Sequence, residues 1–264
     1  MSASADARQS ELDSVLDSQA LSPALADELF AVVGLLQGQS ALRGALSDPT
    51  APEAARQELA HRMFDSKVSD AAVAVIAGAA GLRWSSAAGF VAALERQGAR
   101  TLIGLAQAAG ELDEVEDQLF KLERLVSGDT GLRGVLEDRT VPAQGREQLV
   151  VDLAGSKVLP TTLALARRAA RSVDEGFAEA VADDLALAAA ARDRSIAYVT
   201  VARPLTAEQA DRLRSALGAQ AGREVNLQVN VDPDVLGGVR VRLGDEVIDG
   251  TMSARLEAAK RELN

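Results

Sequence analysis

Moving the chain 90 positions along itself places residues 27–68 on residues 117–158 without a gap, and seventeen of those forty-two positions are identical. Asp27, Leu29, Phe30 and Leu35 meet Asp117, Leu119, Phe120 and Leu125. Further along, Gly38, Leu42, Arg43, Gly44, Leu46, Asp48, Thr50, Pro52, Arg56, Leu59, Ser66, Lys67 and Val68 recur as Gly128, Leu132, Arg133, Gly134, Leu136, Asp138, Thr140, Pro142, Arg146, Leu149, Ser156, Lys157 and Val158. Agreement over that length means one supersecondary unit used twice. Each copy should hold a helix, a short Leu-Arg-Gly-x-Leu helix, a turn carrying Asp and Pro, and another helix entered near that Pro. The plain reading is one packing solution repeated; the repeat alone names no function.

From about residue 10 to 192 apolar residues recur at helical spacing and no alternating strand pattern interrupts them, so this part should be all helix. Ser22-Pro23 is an N-cap followed by Pro at the first helical position, and Leu25, Leu29, Val32, Val33 and Leu36 form the stripe behind it. A second helix should start near Glu111, with Leu112, Val115, Leu119, Leu122 and Leu125 as its apolar stripe. Its acids, Glu111 to Asp117, sit near the start, where they meet the helix dipole favourably. Aromatic residues are only 3% of the chain, so the bundle core must come from Leu, Val and much Ala. Such cores allow close helix approach and can leave grooves for a partner helix.

The pattern changes near Arg194. Ile196 to Val201 is β-branched and aromatic, closed by Arg203-Pro204, and reads as a short strand. Thr206-Ala-Glu-Gln209 is a capping box opening a helix to about Ala219, with Leu213, Ala216 and Leu217 on its apolar side. Val225, Leu227, Val229 and Val231 alternate with polar residues as a half-buried strand. Val239, Val241 and Leu243 alternate with Arg240 and Arg242, and Gly244-Asp245 before Glu246 reads as a two-residue hairpin turn. A final helix should begin near Thr251 and carry Leu256 and Leu263. The expected fold is therefore mainly α, a duplicated helical bundle followed by a small α/β module of strand, helix, strand, hairpin and helix. Its expected divisions are 1–105, 106–194 and 195–264.

Several chemistries are excluded. The formal net charge of −11 repels phosphate backbones and anionic membrane surfaces, which argues against nucleic acid and against direct membrane insertion. The chain has no cysteine and one histidine, leaving no disulfides, thiolate zinc sites, cysteine nucleophiles or His-rich metal centres. A phosphate-binding loop needs a Gly-Lys pair, and none occurs. His61 is the one imidazole base and lies in an expected helix, where a surface role is the natural reading. No catalytic, cofactor-binding or metal-ligating residue is expected. The first residues carry an acid and no apolar run, so they read neither as a signal nor as a transit peptide, and a cytoplasmic protein is expected. The longest apolar run, Ala71 to Leu82, is too short to span a bilayer.

The C-terminal module also carries a resemblance. Val225-x-Leu227, Val231-Asp232, Val235, Gly237-Gly238, Val239-x-Val241-Arg242-x-Gly244, Val247-Ile248-Asp249-Gly250-Thr251 and Arg255-Leu256-Glu257 together are similar to the signature of the ATP synthase delta family, which includes the mitochondrial oligomycin-sensitivity-conferring protein. Asp232, Gly237, Gly238, Arg242, Gly244, Asp249, Gly250 and Arg255 are its marker positions here. The resemblance implies a non-catalytic stator protein at the cytoplasmic face of the cell membrane. Its helical domain would receive the N-terminal segments of the ATP synthase alpha subunits, and its C-terminal module would meet the C-terminus of the b subunit. Members usually have one helical domain, so the extra copy resembles a long variant from high-GC bacteria. The second copy, joined directly to the C-terminal module, is expected to hold the head. Arg240 and Arg242, sharing one strand face, are either surface charges or contacts with an acidic partner. A helical-repeat adaptor of another assembly is the alternative reading, and a carboxylate acid-base enzyme is a distant third.

Overall fold

The computed structural model describes residues 3–172, 175–194, 196–221, 225–232, 238–243 and 246–249. These divide into two compact units, Met1–Ala188 and Ala189–Asn264.

The helical part begins with α1 (Ala3–Asp17), α2 (Pro23–Gly38), α3 (Ser40–Ser47), α4 (Glu53–Phe64), α5 (Asp70–Gly81) and α6 (Ala87–Ala109). It continues with α7 (Leu112–Gly128), α8 (Thr130–Glu137), α9 (Ala143–Ala154), α10 (Pro160–Arg171) and α11 (Phe177–Arg194). The 90-residue shift is visible in the boundaries: α3, α4 and α5 map onto α8, α9 and α10 residue for residue, and α11 starts 90 positions after α6. The N-cap read at Ser22 is present, its hydroxyl accepting from the Leu25 amide at 3.1 Å, with Pro23 opening the helix. Leu25, Leu29, Val32, Val33 and Leu36 are all buried, joining Leu12, Leu16, Ile76, Phe90 and Leu94 in one core. In α7, Leu112, Val115, Leu119 and Leu122 are buried as expected, but Leu125 is 49% exposed. The stripe continues to Val126 instead, because four residues after Leu122 keeps closer to the packed face than three.

The long helix α6 serves both copies. Shifting α1 by 90 positions lands on 93–107, inside α6, and the buried Leu12 and Leu16 fall on the buried Leu102 and Ala106. Helix α6 packs on α1, α2, α3 and α5, and also on α7 and α10, the last being the counterpart of α5 against α1. The expected division at 105/106 falls inside this helix. Gly110, at φ 73°, ends it in the left-handed conformation that favours glycine.

The second unit contains β1 (Ile196–Val201), α12 (Ala207–Ala221), β2 (Asn226–Val231), β3 (Val239–Leu243) and β4 (Glu246–Asp249). The sheet order is β2-β1-β3-β4, with β1 parallel to β2 and antiparallel to β3. The capping box at α12 is complete: the Gln209 amide donates to the Thr206 hydroxyl at 3.2 Å, and the Thr206 amide donates to Gln209 Oε1 at 2.9 Å. Ala197, Val199, Val201, Val225 and Val241 pack with Leu217. Ala216, expected on the apolar side of α12, is exposed. Val229 and Val231 are each 42% exposed, because β2 is an edge strand among the described residues and lacks a neighbour on one side. The turn Gly244-Asp245 and the helix expected from Thr251 lie outside the described residues.

Among the described residues no single helix is long and apolar enough to cross a membrane. Helices α2 and α3 together have the length and composition, but they are bent by 109° and α2 is a core helix.

Candidate interaction sites

Both copies are built on the same buried arginine. Arg56 Nε donates to Ala80 O at 2.6 Å and Nη2 to Gly81 O at 2.7 Å and Leu82 O at 3.2 Å, which are carbonyls left open at the end of α5. Its Nη1 reaches Asp48 O at 3.2 Å and Ala51 O at 2.6 Å in the turn before α4. Arg146 repeats this, donating to Ala170 O at 2.8 Å, Arg171 O at 3.1 Å, Asp138 O at 3.4 Å and Val141 O. A guanidinium suits the task because its rigid fork offers five donors. The turns match as well. Asp48 Oδ1 accepts from the Thr50 amide and hydroxyl at 2.8 and 2.7 Å, and Asp138 does so from Thr140 at the same distances. Those bonds hold both carboxyls below their ordinary pKa. Glu28 on α2 takes the Ser69 amide ahead of α5, and Gln118 takes the Leu159 amide ahead of α10.

On this shared frame the surfaces differ. Helix α5 carries Ala77, Gly78 and Gly81 where α10 carries Arg167, Arg168 and Arg171. Gly78 lies against α1, and a Cβ built there would sit 3.3 Å from both methyls of Val15. The counterpart arginines instead face a cleft of about 170 Å³ between α2 and α10. Phe30, Ala31, Val33 and Gly34 of α2 form its apolar wall, and Asp27, Glu95 and Glu147 also line it. Glu147, in place of Gln57, is buried and binds both outer arginines: Arg167 Nη2 at 3.0 Å to Oε2, and Arg171 Nε to Oε1. Arg168 lies deeper. Its Nη2 donates to Ala180 O at 2.7 Å and stands 3.1 Å from Asp184 Oδ1, while Nη1 is 3.6 Å from Glu95 Oε1. Burial pushes the Asp184 carboxyl up to about 7 against the opposing pull of Arg168, and burial likewise raises Glu95. The cleft thus sets an apolar wall against a polar one of arginines and acids, with the arginines held in place by Glu147, Glu95 and Asp184. That surface suits an amphipathic helix with an acidic edge.

The second unit presents a different face. Tyr198, Arg242 and Val247 lie side by side across β1, β3 and β4, and all three are exposed. The Arg242 guanidinium stacks over the Tyr198 ring, 4.7 Å from its centroid. Arg240 is exposed on the same face beside Thr200. Two cations and an aromatic ring fit an acidic, partly apolar segment.

Of the marker positions, Asp232 continues the β1–β2 pairing, its amide donating to Val201 O at 2.9 Å. Gly238 has φ 89°, where a side chain would be strained. Asp249 closes β4 opposite Arg240. Gly237, Gly244, Gly250 and Arg255 lie outside the described residues. His61 is exposed on α4, its Nδ1 3.1 Å from Asp65 Oδ1. Sequence reasoning missed Glu95, Glu147, Asp184 and Tyr198. For Asp184 a signal existed: an acid four residues after Ala180 and four before Ala188, on the apolar stripe of its helix.

The family model for the ATP synthase delta (OSCP) subunit matches residues 94–263. It begins inside α6 and so takes in the second copy and the C-terminal unit. The ATP synthase subunit delta of Streptomyces avermitilis is 41% identical over 263 residues, 99% of this chain and 96% of the relative. That of Rhodococcus opacus is 43% identical over 237 residues, 89% of this chain and 85% of the relative. A chain in a cryo-EM structure of the Toxoplasma gondii mitochondrial ATP synthase hexamer covers 62% of this chain at 20% identity, with a TM-score of 0.29, too low to bear on the fold.

Proposed function

The chain belongs to the ATP synthase delta (OSCP) family, and we propose that it is a non-catalytic stator subunit joining the catalytic head to the peripheral stalk. The observation that carries this is the extent of the relationship: the Streptomyces avermitilis protein is matched across 96% of its length, both helical copies included. In this role the helical part binds the N-terminal segments of the alpha subunits, and the C-terminal module binds the b subunit's C-terminus. The protein sits peripherally at the cytoplasmic face of the cell membrane through those partners. Its work is mechanical, resisting torque so that proton-driven rotation is coupled to ATP synthesis.

The divisions 1–105, 106–194 and 195–264 serve as first copy, second copy and C-terminal module, with α6 shared between the first two. The second copy takes the head, in the cleft beside Arg167 and Arg171, whose half-exposed guanidinium groups suit an acidic helix edge. The first copy braces it. Arg240 and Arg242 meet the stalk, where the aromatic neighbour Tyr198 adds apolar contact.

A bridging assay tests the assignment. With b immobilised, catalytic head should be retained only when the full chain is added, and reversing Arg240 and Arg242 together should slow capture at low salt. Failure to bind either partner, or turnover of ATP by the pure chain, would overturn it.

A further inference from the structure

Behind the cleft two carboxylates face one another around a single deep cation. Asp184 on α11 is fully buried, and neither of its oxygens has a well-directed hydrogen bond. Arg168 Nη2 stands 3.1 Å from Asp184 Oδ1 while directing one of its two hydrogens to Ala180 O, so Asp184 receives charge without a well-directed donor. Glu95 on α6 draws on the same guanidinium at 3.6 Å with its side chain 17% exposed. The other charges nearby do not balance the excess. Arg171 on α10 also draws on Glu95 but is bound to Glu147, Asp183 on α11 adds negative charge beside Asp184, and Glu175 in the turn before α11 is itself raised by burial and by its hydrogen bond with Asp183. Two ionised carboxylates sharing one cation in a dry interior is a costly state, relieved by binding one proton. In the first copy the positions of Arg168 and Asp184 are Gly78 and Leu94, so the device belongs to the second copy alone.

We propose that the Glu95–Arg168–Asp184 cluster is a proton-binding site that couples the packing of α11 against α6 and α10 to pH. With the proton bound, one negative and one positive charge remain and the three helices close. When it leaves, the second buried charge weakens the seat of α11, the helix that runs towards the C-terminal module, and loosens Arg168 at the floor of the cleft. The direction follows from linkage: the folded chain holds the proton more tightly than the unfolded chain, so the cluster's own contribution to stability is greatest below neutrality and is lost as pH rises through it. This inference concerns the chain without partners and stands apart from its role in the ATP synthase.

Amide hydrogen exchange on the full chain, corrected for intrinsic rates, tests it at about pH 5.5 and about pH 8. The open population of α11 should rise on the order of tenfold between the two in the wild type. Asp184→Asn and Glu95→Gln each restore one acid to one cation, and either should flatten that dependence. Infrared spectra of the folded wild type near pH 6 should contain a protonated-carboxyl band that Asp184→Asn removes. If Asp184→Asn does not fold, Glu95→Gln and the wild-type band decide. Wild-type protection that does not change with pH, an unchanged dependence in Glu95→Gln, or absence of the band would overturn the proposal.

Discussion

The first and second helical copies share a skeleton and differ in what they place on it. Arg56 and Arg146 tie the turn before one helix to the carbonyls that end the next, and Asp48 and Asp138 close the same turn on Thr50 and Thr140. Around that skeleton the first copy keeps Gly78, Gly81 and Leu94, while the second has Arg168, Arg171 and Asp184. Buried backbone groups need fixed partners, so the arginine and the Asp–Thr turn that satisfy them are kept in both copies. Helix faces tolerate exchange, so there the copies have separated, one into close apolar packing and one into charge. The difference gives one fold two helix faces of opposite character, one apolar and closely packed and one charged.

The largest effects should come from breaking what is shared. Arg56→Ala removes a donor from five buried or half-buried carbonyls, of which Asp48 O keeps the Ala51 amide, and Arg146→Ala removes one from four, of which Asp138 O keeps the Val141 amide. Each should lower the stability of the full chain by about 3 kcal/mol or more, read as a fall in the urea midpoint. A loss at only one site would show that the copies do not rely on the same device.

Exchanging what differs should cost less. Gly78→Arg puts a charged side chain where Val15 already crowds the backbone, with no acid at the position of Leu94 to receive it. A loss of about 2 kcal/mol is expected by thermal or urea unfolding. If Gly78→Arg is neutral, the small residues of α5 are incidental and the contrast with α10 loses its packing basis.

Smaller again is the difference at the helix starts. Ser22→Ala removes the hydroxyl that caps α2 and should cost about 1 kcal/mol, whereas Glu111→Ala at the start of α7 should cost little, since that side chain makes no capping bond. Equal costs would mean that the caps do not distinguish the copies.

The smallest effect concerns acid. Asp48 and Asp138 have pKa values lowered in the fold, chiefly by the Thr50 and Thr140 hydroxyls. Each therefore contributes stability that is present above the unfolded value of 3.8 and is lost as pH falls through the lower folded value. Asp48→Asn and Asp138→Asn should reduce the acid sensitivity of unfolding to a similar, small extent. A clear inequality would show that the two turns are not equivalent.

These contrasts also mark what was legible in the chain. Local rules carried far: the Ser22 cap, the Thr206–Gln209 capping box, the β1 strand and the repeated turns follow from residue chemistry and spacing, while the family was legible through resemblance alone. What escaped depended on long-range placement. The double role of α6 was hidden because Leu12 and Leu16 match Leu102 and Ala106 too sparsely to extend the repeat. The exposure of Leu125, Val229 and Val231 depends on which neighbours arrive, not on periodicity. The arginines of α10 were visible as a divergence between copies, but their acids, Glu147, Asp184 and Glu95, come from three other helices.

The central claim, that the second copy holds the head while the first braces it, is tested most directly on the intact chain, since cutting at 105/106 would sever α6. A peptide copying the alpha-subunit N-terminus, titrated into isotope-labelled full-length protein, should shift amide resonances of α10, of the α2 wall of the cleft from Phe30 to Gly34 and of α6 near Glu95, and leave α5 and α1 almost unmoved. Shifts concentrated instead on Asp70–Gly81 and α1 would contradict the account, and equal shifts on both pairs would mean that duplication produced two docking sites where one is claimed.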